Sequence, residues 1–247
     1  MDSCDIRIVL VAPSHPGNIG AVARAMKNMA LTSLVLVNPK EFPHAEASAR
    51  ASGADDVLGA ARVVATLAQG LEGCGFVAAT TSRERDQYFR VLDVRDAAQR
   101  IVAEAVRAPA AVVFGAERSG LTNEELDKAH ALIRIPSSSL YQSLNLAMAV
   151  QLVAYELFRA RAGSAIVSAP RAAPLARPED MERLYAHLAL VLEQIDFRDR
   201  TQGGTHLMAR IRRFLQRAEL DHNEVNILRG ILTAVQNRRR PAGNGPR

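Results

Sequence analysis

Five short runs of apolar and β-branched residues, separated by segments long enough for helices, constrain the fold of this chain more than any other feature. They are IRIVLVA from Ile6, LVLVN from Leu34, FVAATTS from Phe76, AAVVFG from Ala110 and LIRIP from Leu132. Because apolar residues occupy successive positions, both faces of each strand must be buried, as in a parallel sheet covered by helices on both sides. The pattern therefore predicts an α/β domain.

Helical periodicity fills the gaps between these strands. One helix is predicted after Asn18, one after Thr122 with Glu125 completing a capping box, and one from near Leu144. The apolar stripes of the first and third helices are Ile19, Val22, Ala23 and Met26, and Leu146, Val150, Val153 and Leu157. Strands and helices together predict one α/β domain over residues 1–162.

The chain changes character after residue 162. Alanine, serine and proline interrupt the periodicity in residues 163–177, which predicts a linker. Amphipathic patterns then predict three helices within residues 178–240, and residues 241–247 are predicted to be a disordered tail. We therefore expect a small all-helical domain at the C-terminal end.

The net charge of +5 lies entirely in this C-terminal part. Residues 1–170 carry 17 basic and 17 acidic side chains, whereas residues 171–247 carry 14 and 9. In the second predicted C-terminal helix, Arg210, Arg213 and Arg217 recur along one face. Such a surplus is typical of a domain that docks on a polyanion, although a solvated basic surface has the same composition.

Several function classes lack support in the sequence. Cys4 and Cys74 are far apart and no cysteine or histidine has metal-ligand spacing, so neither a disulfide framework nor a metal site is expected. No apolar run approaches the roughly 18 residues of a membrane span, and no export signal precedes the first strand, so we expect a cytoplasmic protein. The hydrolase pattern G-x-S-x-G and the P-loop pattern G-x-x-x-x-G-K-[ST] do not occur.

The first candidate segment is HPGNIGAVARAMKNM, residues 15–29, which leaves a strand, turns through a Pro-Gly pair and enters a helix. Ligands bind α/β sheets at such turns. Its glycines are spaced G-x-x-G rather than G-x-G-x-x-G, which disfavours a nucleotide-dependent oxidoreductase. Arg24 and Lys27 lie opposite the apolar stripe, where an arginine suits a phosphate group. In the alternative interpretation, Asn18 caps the helix and Arg24 is solvated.

The second candidate segment is FGAERSGLTNEEL, residues 114–126, which begins where the fourth predicted strand ends. A glycine at the carboxyl end of a strand lets a ligand approach the backbone closely, which is the expected role of Gly115. Glu117 is a candidate general base or ligand anchor, or else an ordinary surface carboxylate.

The third candidate segment is IPSSSLYQSLNLAMAVQLVAYEL, residues 135–157, which runs from a strand end through a hydroxyl-rich loop into a helix. Ser143 or Asn145 is placed to cap that helix, which is again an ordinary structural role. The three segments nevertheless occur in order, each at the end of a strand of one domain.

Together these segments resemble the three motifs of the SPOUT-class RNA 2′-O-ribose methyltransferases. Asn18 and Arg24 match N-x5-R, Gly115, Glu117 and Gly120 match G-x-E-x-x-G, and Ser143 with Asn145 matches S-x-N. The resemblance covers residues 5 to about 162. Together with the helical extension, it is strongest to the bacterial enzymes that methylate cytidine or uridine ribose in tRNA.

The resemblance implies a SPOUT α/β-knot domain, in which a deep trefoil knot binds the methyl donor S-adenosylmethionine, largely through backbone groups. The donor-binding positions that it implies are Thr80, Thr81, Ser82, Gly115, Ile135, Gln142, Ser143 and Leu144. It implies no metal.

The resemblance also assigns catalytic roles. It places Arg24 at the acceptor hydroxyl with Ser143 in support, while Asn18, Glu117 and Asn145 organise the site. A guanidinium, with a pKa above about 12, is a poor proton acceptor. We therefore expect Arg24 to orient the hydroxyl and to stabilise the developing alkoxide.

A homodimer packed through the knot helices, and tRNA as its partner, are further implications. The RNA-contacting residues expected are Arg24, Lys27, Arg210, Arg212, Arg213 and Arg217. The expected reaction is 2′-O-methylation of the pyrimidine at position 32 of the anticodon loop. Two alternatives stay open: methylation of another site, in ribosomal RNA or elsewhere in tRNA, and a non-catalytic RNA-binding protein on the same scaffold.

Overall fold

A sheet of seven strands forms the centre of the computed structural model, which describes residues 5–81, 90–138, 140, 142–162, 173–197 and 207–238. In chain order the strands are β1 (Ile6–Val11), β2 (Ser33–Val37), β3 (Arg62–Val64), β4 (Phe76–Thr80), β5 (Val91–Asp93), β6 (Ala110–Phe114) and β7 (Ala131–Arg134). Their order across the sheet is β3-β2-β1-β6-β4-β7-β5. Each neighbouring pair is parallel.

Helices connect the strands and continue after the sheet. Those of the α/β domain are α1 (Pro16–Asn28), α2 (Ala45–Ala51), α3 (Asp55–Gly59), α4 (Leu67–Leu71), α5 (Val94–Ala105), α6 (Asn123–Leu126) and α7 (Leu146–Ala162). Those of the C-terminal part are α8 (Pro178–Gln194), α9 (Leu207–Ala218) and α10 (His222–Arg238). None of the helices in the described part of the chain is both long and apolar enough to span a membrane.

Both faces of the sheet are buried. On β1, Ile6, Ile8 and Leu10 belong to a core shared with α1, α2, α3, α5 and α7, whereas Val9 and Val11 belong to a second core shared with α4 and α6. Side chains alternate between the faces of a strand, so two covered faces require apolar residues at successive positions. The predicted α/β fold is therefore confirmed.

All five predicted strands are present, and two more lie at the edges of the sheet. β3 and β5 have three residues each, and their side chains are mostly exposed. An exposed edge strand leaves no apolar run in the sequence, so neither was predicted. The capping box of α6 is confirmed, because the side chains of Thr122 and Glu125 each accept a hydrogen bond from the other's backbone N–H.

The first helix begins earlier than expected. Its N-cap is His15, whose Nδ1 accepts a hydrogen bond from the backbone N–H of Gly17 at 3.1 Å. Pro16 occupies the first helical position, where a missing N–H costs nothing. Asn18 is therefore not the N-cap of α1, and its side chain is available for other contacts.

The three C-terminal helices enclose a separate small core. Its buried residues are Ala176, Met181, Leu184, Tyr185, Leu215 and Val225. The hydroxyl of Tyr185 donates to Oε1 of Gln216 at 2.9 Å. The predicted helical domain is thus present as three packed helices.

This helical domain is docked on the α/β domain. Of the predicted linker, residues 173–177 are described, and Leu175 is buried in the larger core of the α/β domain. Glu219 is 8% exposed, and its carboxylate contacts Arg100 Nη2 at 2.6 Å and Arg90 Nη1 at 3.6 Å. Residues 163–172 and the predicted tail at 241–247 lie outside the described residues.

Candidate active site

A cavity of about 350 Å³ opens at the carboxyl ends of β4, β6 and β7, the edge at which α/β sheets bind ligands. Seven of the eight predicted donor-binding residues line it, and they are Thr80, Thr81, Gly115, Ile135, Gln142, Ser143 and Leu144. The eighth, Ser82, lies outside the described residues. The structure therefore brings together residues that are up to 64 positions apart in the sequence.

Gly115 has a physical role in addition to the one expected. A Cβ at this position would overlap the backbone of Gly120 and Leu121. The loop after β6 folds back on itself, with the N–H of Gly120 donating to the carbonyl of Ala116 at 2.8 Å. Gly115 is thus required by the close approach of its own loop, whether or not a ligand is bound.

Glu117 is held by four hydrogen bonds from the segment after β1. Its Oε2 accepts from the backbone N–H of Ser14 at 2.9 Å and from the Ser14 hydroxyl at 2.8 Å. Its Oε1 accepts from Nδ2 of Asn18 at 2.9 Å and from the backbone N–H of His15 at 3.3 Å. Both carboxylate oxygens are therefore committed to donors of the protein.

This arrangement keeps Glu117 ionised. Partial burial raises the pKa of its carboxyl group, but the hydrogen bonds from Asn18 and Ser14 outweigh that effect and hold the pKa below its usual value. A carboxylate with a low pKa and occupied oxygens is a weak base. The geometry fits the organising role that the resemblance implies for Glu117, whereas a general base or a ligand anchor needs an oxygen that these donors leave open.

Asn18 and Asn145 extend the network to the third segment. Nδ2 of Asn145 donates to Oδ1 of Asn18 at 3.1 Å. Oδ1 of Asn145 accepts from the backbone N–H groups of Ala147 and Met148, at 2.9 and 3.4 Å, at the start of α7. Asn145 therefore both caps a helix and joins the network, so the two predicted roles are not exclusive.

Ser14 is a site residue that the sequence analysis missed. It lies just after β1 and supplies two of the four donors to Glu117. The available signal was its position, a polar residue at the carboxyl end of a buried strand and next to the first motif segment.

Arg24 and Lys27 lie outside this network. The side chain of Arg24 is exposed, and Arg24 is not among the described residues that line the cavity. It follows Asn18 by six residues, which is about 9 Å along a helix. Lys27 Nζ donates to the carbonyl of Gly53 at 2.9 Å and to Oδ1 of Asp56 at 2.8 Å, so it has partners within the protein.

The four predicted RNA-contacting arginines of α9 differ in their surroundings. Arg212 makes a bidentate ion pair with Glu182, at 2.7 and 2.9 Å, and Nε of Arg213 donates to Asp127 at 3.2 Å. Arg210 and Arg217 are exposed to solvent. Arg212 thus joins α9 to α8 within the helical domain, Arg213 joins α9 to the α/β domain, and RNA contact stays a prediction for all four.

Two family models match the chain, and together they cover most of it. Residues 5–155 match the SpoU rRNA Methylase family, and residues 179–244 match the C-terminal domain of the tRNA methyltransferase TrmJ. The chain belongs to the SpoU methylase family. This membership confirms the predicted SPOUT methyltransferase fold, and the second match assigns the helical domain of this SpoU methylase to the TrmJ type.

Individual relatives agree with the family match. The tRNA (cytidine/uridine-2′-O-)-methyltransferase TrmJ of Sodalis glossinidius (strain morsitans) is 45% identical over 246 residues, which cover 98% of this chain and 95% of the relative. The crystal structure of TrmJ from Z. mobilis ZM4 superimposes with a TM-score of 0.80 at 34% identity, covering 93% of this SpoU methylase and 98% of that chain.

A third comparison covers a smaller share of the chain. A solved structure described as giving structural insights into the 2-OH methylation of C/U34 on tRNA matches with a TM-score of 0.51 at 27% identity. It covers 64% of this SpoU methylase and 97% of that chain. The shared part is therefore about as long as the α/β domain.

Proposed function

We propose that this chain is an S-adenosylmethionine-dependent methyltransferase that acts in the cytoplasm on the ribose 2′-hydroxyl of cytidine or uridine at position 32 of tRNA. The observation that carries the proposal is the hydrogen-bonded chain Asn145–Asn18–Glu117, which joins the three motif segments beside the cavity. The match of the C-terminal helices to the TrmJ domain supports tRNA as the substrate.

The cavity suits a donor that is recognised by backbone groups. Its volume of about 350 Å³ lies within the range of small-molecule sites, roughly 300–1,000 Å³. Thr81 and Gln142 offer polar groups, and Ile135 and Leu144 offer apolar surface for a nucleobase. S-adenosylmethionine supplies an electrophilic methyl group, and these residues would bind and orient it.

Arg24 is the residue that we assign to the acceptor hydroxyl. Its guanidinium donates hydrogen bonds at any physiological pH and so stabilises an alkoxide as it develops. Ser143 lines the cavity and supports the acceptor from the donor side. Glu117 acts indirectly, because it fixes Ser14 and Asn18 at the turn from which α1 begins.

A homodimer would complete this site. On α7, Met148, Leu152, Tyr155 and Phe158 are exposed, and their spacing of three or four residues places them along one side of the helix. An exposed apolar stripe of this length is typical of an interface. A second copy packed on α7 would bring another chain close to α1, which contacts α7, and so to Arg24.

The dimer is tested by sedimentation. Leu152→Glu is expected to shift the protein from dimer to monomer at micromolar concentration and to abolish turnover. Leu190→Glu, at an exposed leucine of α8, is the matched control and should stay dimeric. A wild-type protein that sediments as a monomer, or a dimeric Leu152→Glu variant, would contradict the proposal.

The proposed reaction is tested with a methyl-labelled donor and unmodified total tRNA, followed by nuclease digestion and mass spectrometry. Label on the ribose of nucleotide 32 is expected. Label on another nucleotide would support the methyl transfer and reject nucleotide 32 as its target. Donor binding without label would direct the assay to ribosomal RNA, and no donor binding would favour the non-catalytic RNA-binding alternative.

The position of the methylated nucleotide needs its own control, since the structure described by C/U34 methylation matches a stretch about as long as the α/β domain. Two tRNA transcripts are made, one with a 2′-deoxyribose at nucleotide 32 and one with it at nucleotide 34. We expect only the first substitution to abolish methylation, because it removes the accepting oxygen. Loss of methylation with the second transcript alone would assign the enzyme to position 34.

A further inference from the structure

One side of α9 carries an exposed aromatic residue between two exposed arginines. Phe214 is 58% exposed, and Arg210 and Arg217 are exposed as well. They lie four residues before and three residues after Phe214, so all three share one face of the helix. We call Arg210, Phe214 and Arg217 the α9 stripe.

Other sides of α9 pack against α8, the small core and the α/β domain. Leu215 is buried in the small core, Arg212 pairs with Glu182, and Arg213 pairs with Asp127. Nε2 of Gln216 donates to the carbonyl of Lys128 at 3.2 Å. These contacts fix the orientation of the helix, so the α9 stripe is held outward on a rigid support.

These contacts also connect α9 to the segment that follows the cavity wall. Asp127 and Lys128 directly follow Leu126, which lines the cavity. A ligand on the α9 stripe would therefore lie on an element attached to the wall of the proposed donor site.

The charge of α9 selects one kind of ligand. The helix contains four arginines and no acidic residue, and two of these arginines are exposed on the side that carries Phe214. An apolar protein partner would leave the two flanking arginines opposite apolar surface. The phosphates of RNA are complementary in charge to these arginines, and each neutralised phosphate favours binding because it releases counterions.

We infer that the α9 stripe binds an unpaired nucleotide of single-stranded RNA, with its base stacked on Phe214 and the flanking phosphates on Arg210 and Arg217. Unstacked bases in RNA loops are bound in this way by aromatic side chains, with little sequence preference. The inference rests on the proposed function for its substrate, a tRNA, and adds a second point of contact outside the catalytic cavity.

The test uses the absence of tryptophan from this chain. Phe214→Trp creates a single fluorescent reporter, and Phe197→Trp is the matched control, at a phenylalanine that is 52% exposed in the same domain. On titration with unmodified tRNA transcript, we expect the fluorescence of the first variant to be quenched by a stacked base and that of the second to change little.

Affinity gives a second, independent measurement. Loss of one base stack predicts that Phe214→Ala weakens tRNA binding roughly 5- to 150-fold, while Phe214→Tyr stays within about threefold of wild type. Arg210→Ala and Arg217→Ala should each lower the slope of log K against log salt by about 1. Circular dichroism checks that every variant folds.

The outcomes separate this inference from the proposed function. Suppose that nucleotide 32 is methylated, that the fluorescence of Phe214→Trp is not quenched and that Phe214→Ala binds tRNA with wild-type affinity. This result would overturn the RNA contact of the α9 stripe and leave the proposed function intact. Quenching and weakened binding without methyl transfer would support the RNA contact of the α9 stripe and reject the proposed methyltransferase activity. A Phe214→Ala variant that changes the oligomeric state and not the RNA affinity would show a protein contact, which also overturns the inference.

Discussion

Replacing Glu117 by glutamine changes one oxygen to an amino group and tests the network at the centre of the site. The new amide has one acceptor for donors that now approach two oxygens. If the NH₂ group replaces Oε2, it faces the backbone N–H of Ser14, which approaches at 2.9 Å. If it replaces Oε1, Asn18 must turn its own amide and so loses its acceptor contact with Asn145.

The expected cost follows from counting these contacts. Either orientation leaves at least one donor without a partner, at about 1–3 kcal/mol, and the bonds that remain lose the assistance of the charge, at about 1 kcal/mol in total. The site is partly open to water, so the lower end applies, and we expect a loss of about 2 kcal/mol. For a chain of this size that corresponds to a fall in Tm of about 4–8 °C.

The pH dependence identifies the charge as the cause. Because the pKa of Glu117 is lower in the folded protein than its ordinary value of 4.5, its contribution is fully present above about pH 4.5. It is lost as the pH falls through the folded pKa. The difference in unfolding free energy between wild type and Glu117→Gln should therefore be constant near neutral pH and shrink in acid.

Thermal and urea unfolding at several pH values provide the measurement, and Glu41→Gln, at an exposed glutamate, is the control. It should match wild type at neutral pH. The reasoning fails if Glu117→Gln melts like wild type near neutral pH, or if its deficit is unchanged in acid.

Three further predictions concern the cavity, the docking of the helical domain and the chemistry. Gly115→Ala should abolish donor binding, measured by calorimetry, and lower the free energy of unfolding by about 2 kcal/mol or more, because its Cβ overlaps the backbone at Gly120. A normal donor affinity would contradict this prediction. Glu219→Ala should cost about 1–2 kcal/mol in urea unfolding, because Arg100 loses the shorter of its two carboxylate contacts and keeps Glu104 at 3.6 Å; a change below about 0.5 kcal/mol would show that the docking is weak. Arg24→Ala should lower turnover about 100-fold or more with unchanged donor binding, and near-normal turnover would reject its role.

Some contacts described above join neighbouring residues and are predictable from local sequence patterns, whereas others join residues that only the folded chain brings together. Thr122 and Glu125 form their capping box three residues apart, so the sequence alone was enough. The contact between Ser14 and Glu117 joins residues 103 positions apart, so no local sequence pattern predicts it. His15 took the N-cap position that Asn18 was expected to fill, because two polar residues of one turn compete and tertiary contacts decide between them.

The arginines of α9 show the same limit. Their periodicity placed them correctly on a helix, and their charge indicated a polyanion. Periodicity does not reveal which side of an amphipathic helix meets a neighbouring domain. The acidic partners of Arg212 and Arg213 are Glu182 and Asp127, and these lie on other elements of the chain.

The sequence by itself determined the α/β class, the five interior strands, the helical C-terminal domain and the three segments that form the site. It did so because burial on both faces of a strand, helical periodicity and a resemblance carried by short motifs are all properties of neighbouring residues. Tertiary structure alone decided that Glu117 is held by donors from the segment after β1, that a Cβ at Gly115 would overlap its own loop, that Arg24 lies outside the cavity and that Glu219 docks the helical domain. These outcomes depend on which distant side chains supply hydrogen bonds and charge, and only the folded path of the chain brings those side chains within reach.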